Sequence, residues 1–479
     1  MVKKTFHCGT GPLARELLGE AMMFKTPISR RLVLAALAST LPAMARAGSD
    51  KRFALADFRG SLSASDYGVE PGALDPATKA FARLLADASS RNQPVFLPPG
   101  IYHLADIDLP ENTRIEGVAG ATRLLYTGNG KFFNAAGSRR VSLSNLTIDG
   151  GNRWLADDQP GLLTLRGVED LRIDNCEIRG AAKFAIWAER CSGAMTANLI
   201  AGAAESAIYA VDSIDMAIRD NRISDCGNGG ILVHRWTKGH DGTIVSGNRI
   251  SRIGAKGGGT GQNGNGINVF RADDVAISGN VLADCAFTAI RSNAGSNVQI
   301  ANNHCSRSGE TAIYSEFGLE GAMISGNLVD GAANGILSVN FNEGGRLSVI
   351  SGNLVRNITA TAPYQADDAI FGIGIEAEAD TTLTGNVIED VARWGILLGW
   401  GPYGRNLNAT GNVVRKAPVG CAVSIVEGAG PILVRNNQFA AITETAVAGY
   451  RWMDKATQNL TEDAASAYPH LDVGGNQVS

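Results

Sequence analysis

Basic residues, cysteine and charge are all scarce in this chain. Lysine and arginine number 43 against 47 aspartates and glutamates, a formal charge of −4. With no basic surplus to neutralise phosphates, nucleic acid is excluded as the partner. An acidic polysaccharide is not, since a local row of Arg and His can hold one. Only 19% of residues are charged, which fits a chain made mostly of stacked core. The seven cysteines show no metal-ligand spacing, and no stretch matches a known cofactor-binding pattern. Outside the N-terminus no apolar run approaches the ~20 residues of a membrane-spanning helix.

Glycine is plentiful, at 58 residues, and it belongs to a repeat. A short apolar run ends on Asn, as in MAIRDN, TIVSGN, VAISGN, VQIANN and AMISGN. About ten residues later comes an Ala/Gly-Ile pair. The marker asparagines are 145, 175, 198, 221, 248, 280, 303, 327, 353, 386, 412 and 437, spaced mostly 23 to 27 apart with a few steps of 30 to 33. A fixed period of this size implies a solenoid, because one unit cannot bury its own apolar face. Short β-branched runs broken by Gly and Asn imply strands. The expectation is an all-β, right-handed single-stranded parallel β-helix, with about 13 coils (counting Asn476) rising ~4.8 Å each. Asn suits a corner because it tolerates the left-handed conformation and because stacked asparagines bond to one another. Cys226 and Cys285 each lie five residues past a marker Asn, a slot otherwise held by apolar residues, so they read as free core cysteines.

The N-terminus reads as an export signal, not as fold. Ser29-Arg30-Arg31 precedes the apolar Leu32–Ala38, and Ala45-Arg46-Ala47 precedes Gly48, giving a charged region, an apolar region and an A-x-A cleavage site. The paired arginines resemble a twin-arginine signal, although Val33 stands where Phe or Leu is usual; an ordinary secretory signal is the alternative. The natural start is expected at Met22 or Met23. Removing residues 1–47, with seven basic and two acidic residues, leaves 36 basic and 45 acidic, a net charge of −9. A periplasmic or secreted protein is expected. Residues 48–100 read as an N-terminal cap, 101–449 as the β-helix and 450–479 as a C-terminal cap.

Within the cap, residues 76–88 (PATKAFARLLADA) carry a helical apolar stripe at 80, 81, 84, 85 and 88. A helix there covers the open edge of the first coil. Asp66-Tyr67-Gly68-Val69, this helix and VFLPPGIY at 95–102 together resemble the entry segment of pectate-lyase-like β-helix proteins, which include polygalacturonases and phage tailspikes. With the paired arginines and the repeats, the chain also resembles a family of twin-arginine-exported, β-helix-repeat proteins of alphaproteobacteria of uncharacterised function. The resemblance implies the fold and a sugar-polymer ligand. It carries no catalytic residue: Asp367-Asp368 is not followed by the Gly-His-Gly of polygalacturonases, and neither the pectate lyase Arg block nor the Asp-Pro-His-Asp block of mannuronan epimerases is present.

Two coils are overlong. The step from Asn248 to Ile267 is 19 residues and that from Asn353 to Ile375 is 22, and both insertions enter at the same point of the repeat. They are expected to wall one side of one face. Strand periodicity places the residue after each Ile, and the one two further on, on the outside. The first outward column is Trp187, Tyr209, Leu232, Asn268, Arg291, Tyr314, Leu337, Glu376, Leu397, Ser424. The second is Glu189, Val211, His234, Phe270, Asn293, Glu316, Val339, Glu378, Gly399, Val426. Their polar middle lies between the insertions.

Such a patch suits a polysaccharide. Phe270, Tyr314 and Trp400 offer stacking faces, and Asn268 and Asn293 offer hydrogen bonds. Hydrolysis requires two carboxylates, for which Glu316 with Glu376 or Glu378 is the candidate. Elimination or epimerisation of a uronate requires a neutralising group, Arg291 or Asn268, and a base, His234 or Tyr314. The competing reading is a non-catalytic glycan-binding or envelope protein whose outward charges simply pair across strands. The cluster from His234 through Lys238 to His240-Asp241 reads as a solvated loop. Asp367-Asp368 offers oxygens of the kind Ca²⁺ takes, with a plain acidic loop as the alternative.

Overall fold

Among the described residues three parallel sheets of 16, 15 and 15 strands extend from Leu62 to Val478, and from Val95–Phe96 to Thr445–Arg451 consecutive strands visit them in rotation. This is the expected all-β parallel solenoid. The computed structural model describes residues 60–73, 76–259, 261–364, 370–462 and 464–479. The segment read as an export signal and the Asp367-Asp368 pair lie outside them. Strands pair parallel except the short Asp454–Lys455, which folds back antiparallel on Thr445–Arg451. Among the described residues no helix is long and apolar enough to cross a membrane.

The repeated isoleucines fill the bore. Ile186, Ile208, Ile231, Ile267, Ile290, Ile313, Ile336, Ile375 and Ile396 are all fully buried and stack in register from coil to coil. At the N-terminal end the expected helix spans Thr78–Ser90. It buries Phe81, Leu84, Leu85 and Ala88 against the same core, so the first coil's apolar interior is covered.

The marker asparagines form one continuous ladder. It runs through Asn198, Asn221, Asn248, Asn280, Asn303, Asn327, Asn353, Asn386, Asn412, Asn437 and Asn476, each side-chain amide donating to the next side-chain oxygen at 2.9–3.1 Å. The same oxygen also accepts the backbone N–H of the preceding Asn, as Asn280 Oδ1 does from Asn248 at 2.9 Å. Stacking is therefore why Asn recurs; tolerance of the left-handed conformation is not. The left-handed slot is one residue earlier, at Asp220 (φ 58°), Gly279 (φ 64°) and Asn302 (φ 56°). Asn145 and Asn175 sit in that earlier slot, with φ 57° and 49°, and Cys176 holds the ladder position in their part of the chain, its N–H bonded to Asn198 Oδ1 at 2.9 Å.

Cys176, Cys191, Cys226, Cys285, Cys305 and Cys421 are all buried and unpaired with one another. Burial pushes the Cys176 and Cys285 thiols up to about 12 and those of Cys191 and Cys226 up to about 11. The thiolate is the reactive species, so none of the six should react with iodoacetamide in native protein at pH 8, and all six should react in denaturant. Peptide mapping after a timed exposure checks this.

Candidate functional site

The outward columns align as the period requires. Trp187, Tyr209, Leu232, Asn268, Arg291, Tyr314, Leu337, Glu376 and Leu397 are successive register partners. Ser424 is not their continuation: Leu397 pairs with Ala422, because Cys421 and not Val423 takes the inward Ile slot. The second column runs Glu189, Val211, His234, Phe270, Asn293, Glu316. The segment from His234 to His240, expected as a loop, continues one strand, Gly229–His240, with an irregularity in register between His234 and Gly239.

Outward does not mean exposed here. One end of the face is sealed by an apolar cluster of Tyr209, Val211 and Leu232, the other by a cluster that includes Ile373, Trp394, Leu397, Val419 and Tyr450. Between them, Asn268, Arg291, Glu316, Glu376 and Glu378 are 2–9% exposed. The insertions help to bury them. Gly261 of the first insertion packs so closely on Arg291 that a Cβ there would overlap Nη1. In the second, the Tyr364 hydroxyl donates to Glu310 Oε1 at 2.7 Å and its ring stacks on Phe287 at 5.8 Å. Both insertions thus border one face.

Arg291 is not available as a neutraliser. Its Nε donates to Glu316 Oε1 at 2.5 Å, Asn293 donates to the same oxygen at 2.9 Å, and the guanidinium lies 5.4 Å from the Tyr314 ring centre. Glu316 is equally committed, although burial, opposed by Arg291, still raises its pKa above the ordinary value. Removing one member of a buried pair strands the other's charge, at a cost of about 3–5 kcal/mol. Arg291→Met and Glu316→Leu should each destabilise by that order, and the double variant by clearly less than their sum; chemical denaturation of the four proteins tests this.

Neither Tyr314 nor His234 is set up as a base in place. Burial and the Glu316 charge hold the Tyr314 hydroxyl well above its usual range. His234 lies between the rings of Tyr209 and Phe270, at 5.0 and 5.5 Å, and desolvation takes its pKa down to about 3, so its imidazole is neutral. His240 instead bonds Asp274, Nδ1 to Oδ2 at 2.6 Å.

The polar face resolves into two clefts. The larger group of carboxylates lines one of about 440 Å³, bordered by Glu310, Tyr314, Tyr364, Glu376, Glu378, Trp400, Tyr403 and Trp452. Trp400 and Trp452 meet edge to face at 5.5 Å. Glu376 is held well above the ordinary carboxylate range, first by burial and then by the charge of Glu378, just past the end of the strand Ile373–Ala377.

Glu310 is not legible in the outward columns. It sits in the turn just ahead of the strand Thr311–Glu316. There a third column (Asn228, Gly264, Phe287, Glu310, Ala333, Gly372) is tied N–H to carbonyl, coil to coil. Its Oε2 also accepts from Thr288 Oγ1 at 2.9 Å. Tyr403 and Trp452 escape the spacing too, since they follow the repeats' strands and not their period.

Among solved structures, the N-terminal fragment of bacteriophage phi29 gene product 12 is similar at 14% identity with a TM-score of 0.55, covering 81% of this chain and 68% of its own. The pre-mature form of the same phage protein is similar at 13% identity and a TM-score of 0.56, over 84% of this chain and 59% of its own. The A-module of an Azotobacter vinelandii mannuronan C-5 epimerase has a TM-score of 0.45 at 14% identity, over 88% and 99%. At such identities the likeness is one of fold. No curated protein matches the sequence. The family model described as the right-handed β-helix region matches residues 124–263 and 236–439, together more than half of the chain. The chain therefore belongs to the right-handed β-helix family.

Proposed function

We propose that this is an exported β-helix protein that binds a glycan across its middle coils and hydrolyses it in the carboxylate cleft. The observation that carries the reading is Glu376, its carboxyl pKa held well above the ordinary range by burial and by Glu378, in a cleft bordered by Trp400, Tyr403 and Trp452. A proton held on one carboxyl beside a second carboxylate is what an acid–base pair needs to cleave a glycosidic bond, and the aromatic rings give sugar faces a place to stack. Glu316 drops out of the pair expected from sequence, because Arg291 and Asn293 occupy it. Elimination loses its cationic neutraliser for the same reason, which leaves only the Asn268 amide for that role.

The ligand's charge follows from the lining. Among the described residues bordering this cleft there are three glutamates and no Lys, Arg or His, which favours a neutral glycan over the acidic polysaccharide that the uronate chemistry considered from the outward columns would require. A panel of neutral and acidic polysaccharides, followed for new reducing ends and for absorbance near 235 nm, tests the reading. Reducing ends from a neutral glycan support it. Absorbance at 235 nm from a uronate polymer overturns it in favour of a lyase, and binding without turnover on any substrate supports the non-catalytic alternative.

A further inference from the structure

A second cleft of about 490 Å³ lies on the same face, bordered by His234, Trp236, Asn268, Phe270, Arg291 and Phe317. The Arg291–Tyr314 stack divides it from the carboxylate cleft, Arg291 bordering one and Tyr314 the other. Three buried polar atoms of residues that border it, His234 Nε2, Asn268 Oδ1 and Arg291 Nη1, have no hydrogen-bond partner among the described residues. Asn268 and Arg291 are themselves only 6% and 9% exposed. Buried polar groups without partners are costly, and a ligand that both donates and accepts relieves that cost. Beside them, two apolar rings stand in water where a folded core would hide them: Trp236 is 57% exposed and Phe317 39%.

From this pairing of unpartnered polar atoms with exposed rings, we propose that the second cleft is a separate binding site for one neutral sugar ring of the glycan. Adjacent ring hydroxyls both donate and accept, which matches an amide oxygen and a guanidinium N–H side by side. Ring faces of a sugar match Trp236 and Phe317. An anionic group is poorly served, because the Arg291 charge is already balanced by Glu316. Register sets the spacing: Asn268 and Glu376 are four coils apart in one column, about 19 Å at the backbone. A chain occupying both clefts must therefore be several sugars long.

The inference rests on the glycan reading of the carboxylate cleft, but its test does not depend on turnover. The full-length Glu376→Gln protein would be titrated calorimetrically with cello-, xylo- and malto-oligosaccharides of two and six units, and with hexagalacturonate as the acidic control. The expected result is that one neutral hexamer binds at least tenfold tighter than its dimer, and that Trp236→Ala and Asn268→Leu each abolish this gain. Trp236 is exposed, so its replacement should leave the melting curve unchanged, which keeps the result interpretable. A length gain that survives both replacements, tighter binding of the hexagalacturonate, or no binding at all overturns the proposal. If the gain depends on Trp236 while the wild type hydrolyses nothing, the hydrolase reading fails and the sugar site stands.

Discussion

If the cleft hydrolyses a glycan, replacing Glu376 by Gln should lower that rate about 10²–10⁴-fold, the range general acid–base groups supply, with the fold retained. Gln keeps the size and hydrogen-bonding capacity of a protonated Glu but has no proton to give. Burial and Glu378 both favour the uncharged form of Glu376, so the substitution changes the cleft's charge little where that form prevails. The wild-type rate should fall as pH rises through the raised pKa of Glu376, because the general acid is then lost. Stability moves in the same direction: a carboxyl whose folded pKa is raised binds its proton more tightly when folded, so its contribution is full below the ordinary carboxylate pKa and declines as pH climbs towards the folded one. The Gln variant escapes that decline, so its stability relative to wild type should increase with pH above about 4.5. Rates and denaturation midpoints of both proteins across pH 4 to 9 provide the check. Equal rates at every pH would remove Glu376 from the chemistry.

Much of this site is visible in the alternation of residues along each strand. The Ile stack fixes which side faces the bore, and two columns on the other side follow, with His234, Asn268, Arg291, Glu316 and Glu376 in the order the register shows. Pairing within those columns is harder to read. Periodicity places Arg291 and Glu316 on adjacent coils but does not tell a free cation from one held at 2.5 Å by a carboxylate. Glu310 escapes because it lies in a turn column, outside the two-residue alternation, and its role depends on Tyr364 reaching back from an insertion 54 residues later. Ser424 is misplaced by spacing because Ala422-Val423 imitates the Ala-Ile pair, when Gly420-Cys421 is the true counterpart of Gly395-Ile396. Loops and inexact repeats carry no period, so contacts made through them are not encoded in spacing.

Asn280 offers the sharpest test of the ladder, because its two chemical functions can be removed separately. Its oxygen accepts from both the backbone N–H and the side-chain amide of Asn248, and its own amide donates to Val245 O and Asn303 Oδ1, all at 2.9–3.0 Å. Asn248, Asn280 and Asn303 are at most 1% exposed, so water does not replace a lost partner. Asn280→Ala leaves two donors of Asn248 unsatisfied, and at 1–3 kcal/mol each the cost is about 4 kcal/mol. Asn280→Asp keeps the acceptor but loses the donor, and sets a buried negative charge against the oxygens of Val245 and Asn303. At pH 7 it should be at least as damaging as Ala. The two variants then part with pH. A protonated Asp has an O–H that donates where the amide did, so its folded pKa is raised and its stability should recover as pH falls towards 4; the Ala variant has no such group and should show no recovery beyond that of wild type. Because coils are stabilised largely by their neighbours, the loss should appear first as faster hydrogen exchange at the Asn248 amide and the strands on either side. Denaturation at pH 7 and pH 5, with exchange read at that amide, separates the two functions. An Asp variant that fails to recover, or an Ala variant as stable as wild type, would show that the ladder follows from coil stacking and does not hold it together.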